Sequence, residues 1–150
     1  MSDTTRYMAL NGLGVALILS SYFIFLPMTP QELLWGDIST SMQTVFWTSI
    51  LIAAICFVTA FVMILRQGMP LTPLFWIGLW MFFIGSSLWA PMVWVDSKLL
   101  VFMALFMTTV GVLLMALESG ERMVKILLLV VFLHALVMDN LIWYSAYIQQ

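Results

Sequence analysis

The sequence predicts an all-α, polytopic membrane helix bundle, with five transmembrane helices and a short interfacial helix in the first loop. Two observations carry this. Hydrophobic residues make up 64% of the chain and charged residues only 8%, whereas a soluble domain carries about 25% charge. Five stretches also stay apolar over the roughly 20 residues that a helix needs to cross a bilayer. They cover residues 7–27, 42–65, 73–95, 99–117 and 123–147 of the 150. Together they make one bundle over 1–150 with no room for a soluble domain. The links between them, 28–41, 66–72, 96–98 and 118–122, are short enough to force successive helices antiparallel.

Each element has its own chemical punctuation. The first stretch is longer than the roughly 7–15 apolar residues of a signal peptide, and no A-x-A site follows it, so it reads as a permanent helix. In the first loop, Thr29-Pro30-Gln31-Glu32 has the form of a capping box. Leu33, Leu34, Trp35 and then Gly36 follow, which predicts a short helix lying at the interface as a lid. Thr72 before Pro73 is an N-cap with proline at the first helical position of the third stretch. Pro91 removes a backbone hydrogen bond there, and predicts a kink or an end to that helix around residues 83–87 or just beyond. Ser86, Ser87 and Asn11 are candidates to take up the freed polar groups. Gly120 suits the end of the fourth helix.

Small residues recur at spacings of three and four. Gly12, Ala16 and Ser20 do so in the first helix, Ser49, Ala53, Cys56 and Ala60 in the second, and Ala104, Thr108 and Gly111 in the fourth. Such stripes let membrane helices approach closely. They serve either packing within one bundle or contact with a second copy. Arg6, Arg66, Arg122 and Lys125 fall on one side of five crossings and Lys98 on the other. The positive-inside rule then puts the N-terminus inside and the C-terminus outside.

Several functions are excluded. The net charge is −2 and the five basic residues form no patch, so nucleic acid is not a partner. Cys56 is the single cysteine, which leaves no disulfide, CxxC or zinc spacing, and no metal site is expected. No Walker loop, HExxH, nucleophile elbow or paired-glutamate motif occurs. No lysine lies deep in a helix and seven helices are lacking, which excludes a retinal protein. No catalytic residue is assigned. Thirteen methionines suit adaptable apolar packing or lipid contact.

The chemistry-bearing stretch is Phe132 to Ser145, FLHALVMDNLIWYS, which sets His134, Asp139 and Asn140 in apolar sequence. A carboxylate in a membrane helix is costly and normally faces protein or water. On an α-helix Asp139 lies about 7.5 Å beyond His134 and about 140° around the axis. The two are therefore expected on different faces. His134 groups with Val130, Met138 and Leu141, and Asp139 with Ala135 and Trp143. Both residues can be structural hydrogen-bonding groups or line a cavity. Trp76, Trp80, Trp89 and Trp94 make the third helix aromatic, and Trp80 and Trp89 lie deeper than an interfacial belt requires.

Ser86-Ser87-Leu88-Trp89-Ala90-Pro91 resembles the Asn-x-x-Trp-Pro-Pro segment of the translocator, or tryptophan-rich sensory protein (TspO-like), family. Asp139-Asn140-Leu141-Ile142-Trp143 resembles that family's Asn-x-x-x-Trp segment. Ser86 and Asp139 stand where the family has asparagines, and Ala90 replaces its first proline. Of the tryptophan- and proline-rich signature between the first two helices, only Trp35 and Trp47 remain. The resemblance implies a homodimeric five-helix bundle that binds porphyrin, sterol or a similar flat apolar ligand, with Trp89, Pro91, Asp139 and Trp143 as binding positions.

The leading expectation is a protein that binds or moves a small apolar ligand in a pocket between the third and fifth helices and the first loop. Its candidate residues are Trp80, Ser86, Trp89, Pro91, His134, Asp139, Asn140 and Trp143. Porphyrin or lipid is the cofactor class, and the partners are the bilayer and a second copy or larger membrane complex. The alternative is a non-catalytic accessory subunit of a respiratory, photosynthetic or membrane-bearing assembly. A third reading, a lipid enzyme using Asp139 and His134 as acid and base, is weakened by their different faces.

Overall fold

The computed structural model describes residues 3–68 and 71–149, and among them only helices and their connections occur. The helices are α1 (Asp3–Phe25), α2 (Gln31–Trp35), α3 (Thr40–Gln67), α4 (Pro73–Trp94), α5 (Lys98–Glu118) and α6 (Arg122–Leu133). A π-helical segment (His134–Trp143) and a final turn, α7 (Tyr144–Tyr147), continue α6. Five of these runs are long and apolar enough to cross a membrane: α1, α3, α4, α5 and α6 through α7.

Helix ends follow local chemistry. The Phe75 amide donates to Thr72 Oγ1 at 3.1 Å, and the Thr72 hydroxyl donates to Glu118 Oε2 at 2.6 Å. One threonine thus caps α4 and ties its start to the end of α5. Glu121 caps α6 by accepting from the Val124 amide at 2.6 Å. α3 closes on Gly68, whose φ of 59° is left-handed and suits glycine.

Of three expected devices, only the first is replaced. The Thr29 capping box does not form: Pro30 occupies the N-cap of α2 without a side-chain bond, and the Thr29 hydroxyl donates to the Phe25 carbonyl at 2.8 Å, closing α1. α5 ends where Gly120 is expected to end it, but Gly120 itself is not the cap. Ser119 is, with its hydroxyl donating to the Met115 carbonyl at 2.8 Å. α4 contains Pro91 and ends within one turn of it, at Trp94. Ser86, Ser87 and Asn11 bond elsewhere: Ser86 to Thr108, Ser87 to the Ile84 carbonyl, Asn11 to the Tyr7 carbonyl.

The helices do not pack in chain order. α1 lies against α4, α4 against α5, α5 against α6, and α6 with its π-segment against α3. Phe57 of α3 meets Phe82 and Phe83 of α4, which closes the ring. α1 and α4 run the same way, since Tyr7 meets Trp76 at one end and Phe25 meets Trp94 at the other.

The tightest interface is α4 on α5. A Cβ on Gly78 would sit 2.6 Å from the Gly111 carbonyl oxygen, and one on Gly111 would sit 2.5 Å from that of Gly78. Gly85 is equally close to the Ala104 carbonyl. The α5 stripe of Ala104, Thr108 and Gly111 is buried here, so it packs within the bundle. In α3, Ala53 and Ala60 are buried as well, whereas Gly12, Ala16 and Ser20 of α1 are exposed. α1 turns Gly14 inward instead, onto the ring of Phe83. Gly111→Leu is therefore expected to cost about 3 kcal/mol or more through overpacking against backbone, and Gly12→Leu almost nothing. Thermal unfolding of both variants in detergent checks the contrast. Equal melting temperatures would mean that α4 and α5 part readily.

Candidate functional site

The last long helix changes its winding where its polar residues begin. From His134 to Trp143 it is π-helical, and the Tyr144 amide bonds back to the Asp139 carbonyl, five residues earlier. In this winding residues five apart stack on one face, unlike the α-helix, where bonds reach four residues back. His134 and Asp139 are five apart. Their side chains meet, with Nε2 and Oδ1 3.5 Å from each other. This corrects the expectation that they occupy different faces, which assumed α-helical winding. π-turns are rare and occur frequently at functional sites.

Neighbouring helices complete the cluster. Ser49 Oγ of α3 is 2.8 Å from His134 Nδ1. Both ring nitrogens are therefore engaged, and axial ligation of a haem or chlorophyll would have to break one of the two contacts. The Asn140 amide donates to Thr109 Oγ1 of α5 and to the Ala135 carbonyl, each at 2.8 Å. That second bond runs five residues back and supports the wide turn. Asn140 is a positioning residue facing α5, not the cavity.

Beside this cluster is a small, largely enclosed aromatic cavity of about 20 Å³, walled by Tyr22, Trp35, Phe46, Trp47, Trp89 and Trp143 with Leu26, Leu34 and Ile50. A space of that size holds about one water molecule. The Trp143 indole N–H donates to the Leu34 carbonyl at 2.7 Å, so α2 is fastened over the cavity as a lid. The Trp89 indole donates to the Tyr22 hydroxyl at 2.6 Å, and the two indoles of Trp89 and Trp143 meet edge to face with centroids 5.3 Å apart. The histidine pair lies behind this wall rather than in its lining, with the His134 ring against Phe46 at a centroid distance of 5.9 Å. Tyr22 lies within electrostatic reach of Asp139.

The structure divides the candidate residues. Trp89 and Trp143 wall the cavity, and His134 and Asp139 stand together beside it. Trp80 does not belong there. It is 47% exposed and lines a larger open groove of about 460 Å³ between α1 and α4, together with Arg6, Leu10, Leu13 and Trp76. The one charged residue lining that groove is Arg6, whereas the small cavity adjoins the His134–Asp139 pair through Phe46. Ser86 is buried against Thr108 of α5 at 3.4 Å and packs those helices together. Pro91 lies one turn from the end of α4 and outside the cavity lining. Sequence reasoning missed Ser49, Tyr22 and Phe46. In sequence Ser49 is one of a small-residue stripe, and only the folded contact with His134 separates it from Ala53.

Ser49, His134 and Asp139 have the connectivity of a nucleophile, a base and an orienting acid. Acyl transfer also needs donors aimed at an oxyanion. Ser49 sits inside α3, where the amides are committed to the helix. The nearby Trp89 and Asn140 donors are bonded to Tyr22, Thr109 and Ala135. The trio is equipped to hold and pass a proton rather than to stabilise a tetrahedral intermediate. Among the described residues no three histidine, cysteine or acidic side chains converge.

The fold and site thus define a helical bundle with five membrane-length helices and a lidded aromatic cavity beside a histidine–aspartate pair. No protein family, curated protein or solved structure matches the chain.

Proposed function

We propose that this chain is an integral membrane protein that binds or moves a small, largely apolar ligand in the cavity under α2. The observation that carries the reading is the combination of aromatic walls with a lid held by one side-chain hydrogen bond, Trp143 to Leu34. Ligand sites are concave and mostly apolar, with a few placed polar groups. In the closed state the space takes only about one water, so α2 must lift for a ligand to enter. The resemblance to the translocator family favours a flat ligand such as a porphyrin or sterol.

Trp89 tests this. Trp89→Leu keeps much of the apolar volume and removes the flat face together with the bond to Tyr22. It is expected to weaken a flat probe such as a porphyrin at least tenfold, read by quenching of tryptophan fluorescence, with a smaller effect on melting temperature. A lowered melting temperature with unchanged affinity would return Trp89 to ordinary packing.

Four basic residues against one favour the N-terminus inside and the C-terminus outside. In a Cys56→Ser background, an impermeant maleimide is expected to label Ser39→Cys on intact vesicles and Gln67→Cys only after lysis. The reverse pattern would invert the orientation.

One observation favours a second reading, contact with a second copy or a larger assembly. The small residues Gly12, Ala16 and Ser20 face outward on α1, where another helix can approach closely. Gly12→Leu should then lower the oligomeric mass in detergent while leaving the fold intact. An unchanged mass removes this reading.

A further inference from the structure

We infer that the cavity's ligand is an organic cation, a quaternary or protonated amine with apolar substituents, taken up in exchange for the proton held between His134 and Asp139. This rests on the reading of the lidded cavity as a ligand site and names the ligand's chemistry.

The first support is the wall. Six rings, of Tyr22, Trp35, Phe46, Trp47, Trp89 and Trp143, surround one small space. Trp35 stands edge-on to both Phe46 and Trp47, with centroids 5.5 and 5.7 Å away. Indole faces carry negative potential, and cages of such rings recognise quaternary ammonium groups. A neutral ligand gains nothing from that potential beyond contact area.

The second support is the carboxyl beside the wall. Asp139 reaches His134 across one π-turn, and among the described residues neither is paired with a lysine or arginine. The groups facing the pair are few. α1 presents Tyr22, α3 the Ser49 hydroxyl and the Phe46 ring, and α5 Thr109 through Asn140. Of these only the Tyr22 phenol titrates. The lid contributes one acid, Glu32, which is exposed, so among the described residues His134 and Asp139 are the partly buried pair whose proton can change the charge beside the cavity.

The third support is charge balance. With one proton the pair is neutral overall, either as imidazolium with carboxylate or as imidazole with carboxylic acid. Ser49 suits both, since a hydroxyl can accept from or donate to Nδ1. When that proton leaves to water, the site carries one negative charge, and an uncompensated charge that is largely shielded from solvent is costly. A cation entering from the lid side restores neutrality. One proton out for one cation in keeps the total constant, and the lid confines the exchange.

The test uses the whole protein in detergent. The probes are benzyltrimethylammonium and its uncharged carbon isostere, neopentylbenzene, measured by calorimetry with micelle blanks. The cation is expected to bind at least tenfold tighter than the isostere. It should release close to one proton per molecule bound in weak buffer, and its affinity should rise with pH because the proton competes. Asp139→Asn keeps the side-chain shape, and should weaken the cation at least tenfold more than the isostere. The wild-type proton count stands even if that variant folds poorly. Equal binding of both probes without proton release overturns the cation assignment and leaves the cavity reading in place. Binding of neither, nor of a porphyrin, overturns both. Labelling of Ser49 by a fluorophosphonate would make the trio a hydrolase site and overturn the exchange.

Discussion

Asp139→Leu is expected to destabilise the bundle by about 1–3 kcal/mol, the cost of stranding a polar partner, since the pair is partly buried, with side chains 11% and 20% exposed. The carboxyl contacts His134 Nε2 at 3.5 Å, and His134 holds Ser49 through its other nitrogen. Leucine would leave the imidazole Nε2 without its acidic partner. The double variant His134→Leu/Asp139→Leu should recover much of the loss, because replacing both partners with apolar groups is often neutral or better. Unfolding of the wild type, both single variants and the double variant gives the coupling. If the two single losses simply add, the pair carries no interaction energy and its closeness is incidental. If the double variant is stable but binds no cation, the pair is kept for function at some expense of stability.

That pair also marks what could be read from the sequence and what could not. Helix positions were legible because each depends on local composition. The stretch expected at 73–95 forms Pro73–Trp94, and the short lid expected after Pro30 forms Gln31–Trp35. Thr72 caps α4 as its sequence indicates, since threonine before proline acts within four residues. The Gly111 stripe was legible for the same reason, whereas the side of α1 that faces the bundle was not. Gly12, Ala16 and Ser20 and the inward Gly14 lie on different faces of one apolar helix, and apolarity alone does not tell which face meets protein. The π-segment was hidden for a deeper reason. Spacing arithmetic assumes about 100° per residue, and one wide turn changes every later angle. Its supports are long-range: Asn140 onto Thr109 and Trp143 onto Leu34. No window of the sequence contains both ends of those bonds. The same holds for Trp80 and Trp89, which are equally aromatic neighbours in sequence and diverge only when α1 and α2 cover one of them.

Trp143→Phe is expected to loosen the lid selectively. The phenyl ring keeps apolar contact with Trp89 and the stacking on Tyr147, whose ring lies 5.1 Å away and nearly parallel to the indole. What disappears is the N–H donated to the Leu34 carbonyl across 109 residues of chain. A net hydrogen bond is worth about 0.5–1.5 kcal/mol, so α2 should open roughly 3- to 10-fold more often. In a Cys56→Ser background, Leu34→Cys reports this directly, because residue 34 is buried when the lid is docked. Its labelling by a polar maleimide should speed up by that factor while the global melting temperature changes little, as expected for local opening. Trp143→Ala should behave differently, since losing a buried tryptophan costs about 3–5 kcal/mol and leaves a void against Trp89 and Tyr147. It should lower the melting temperature and release the lid together. Unchanged labelling in Trp143→Phe would mean that burial of Leu34 and Trp35 alone holds α2 in place. The cavity would then be a packing defect of the core rather than a site with a door.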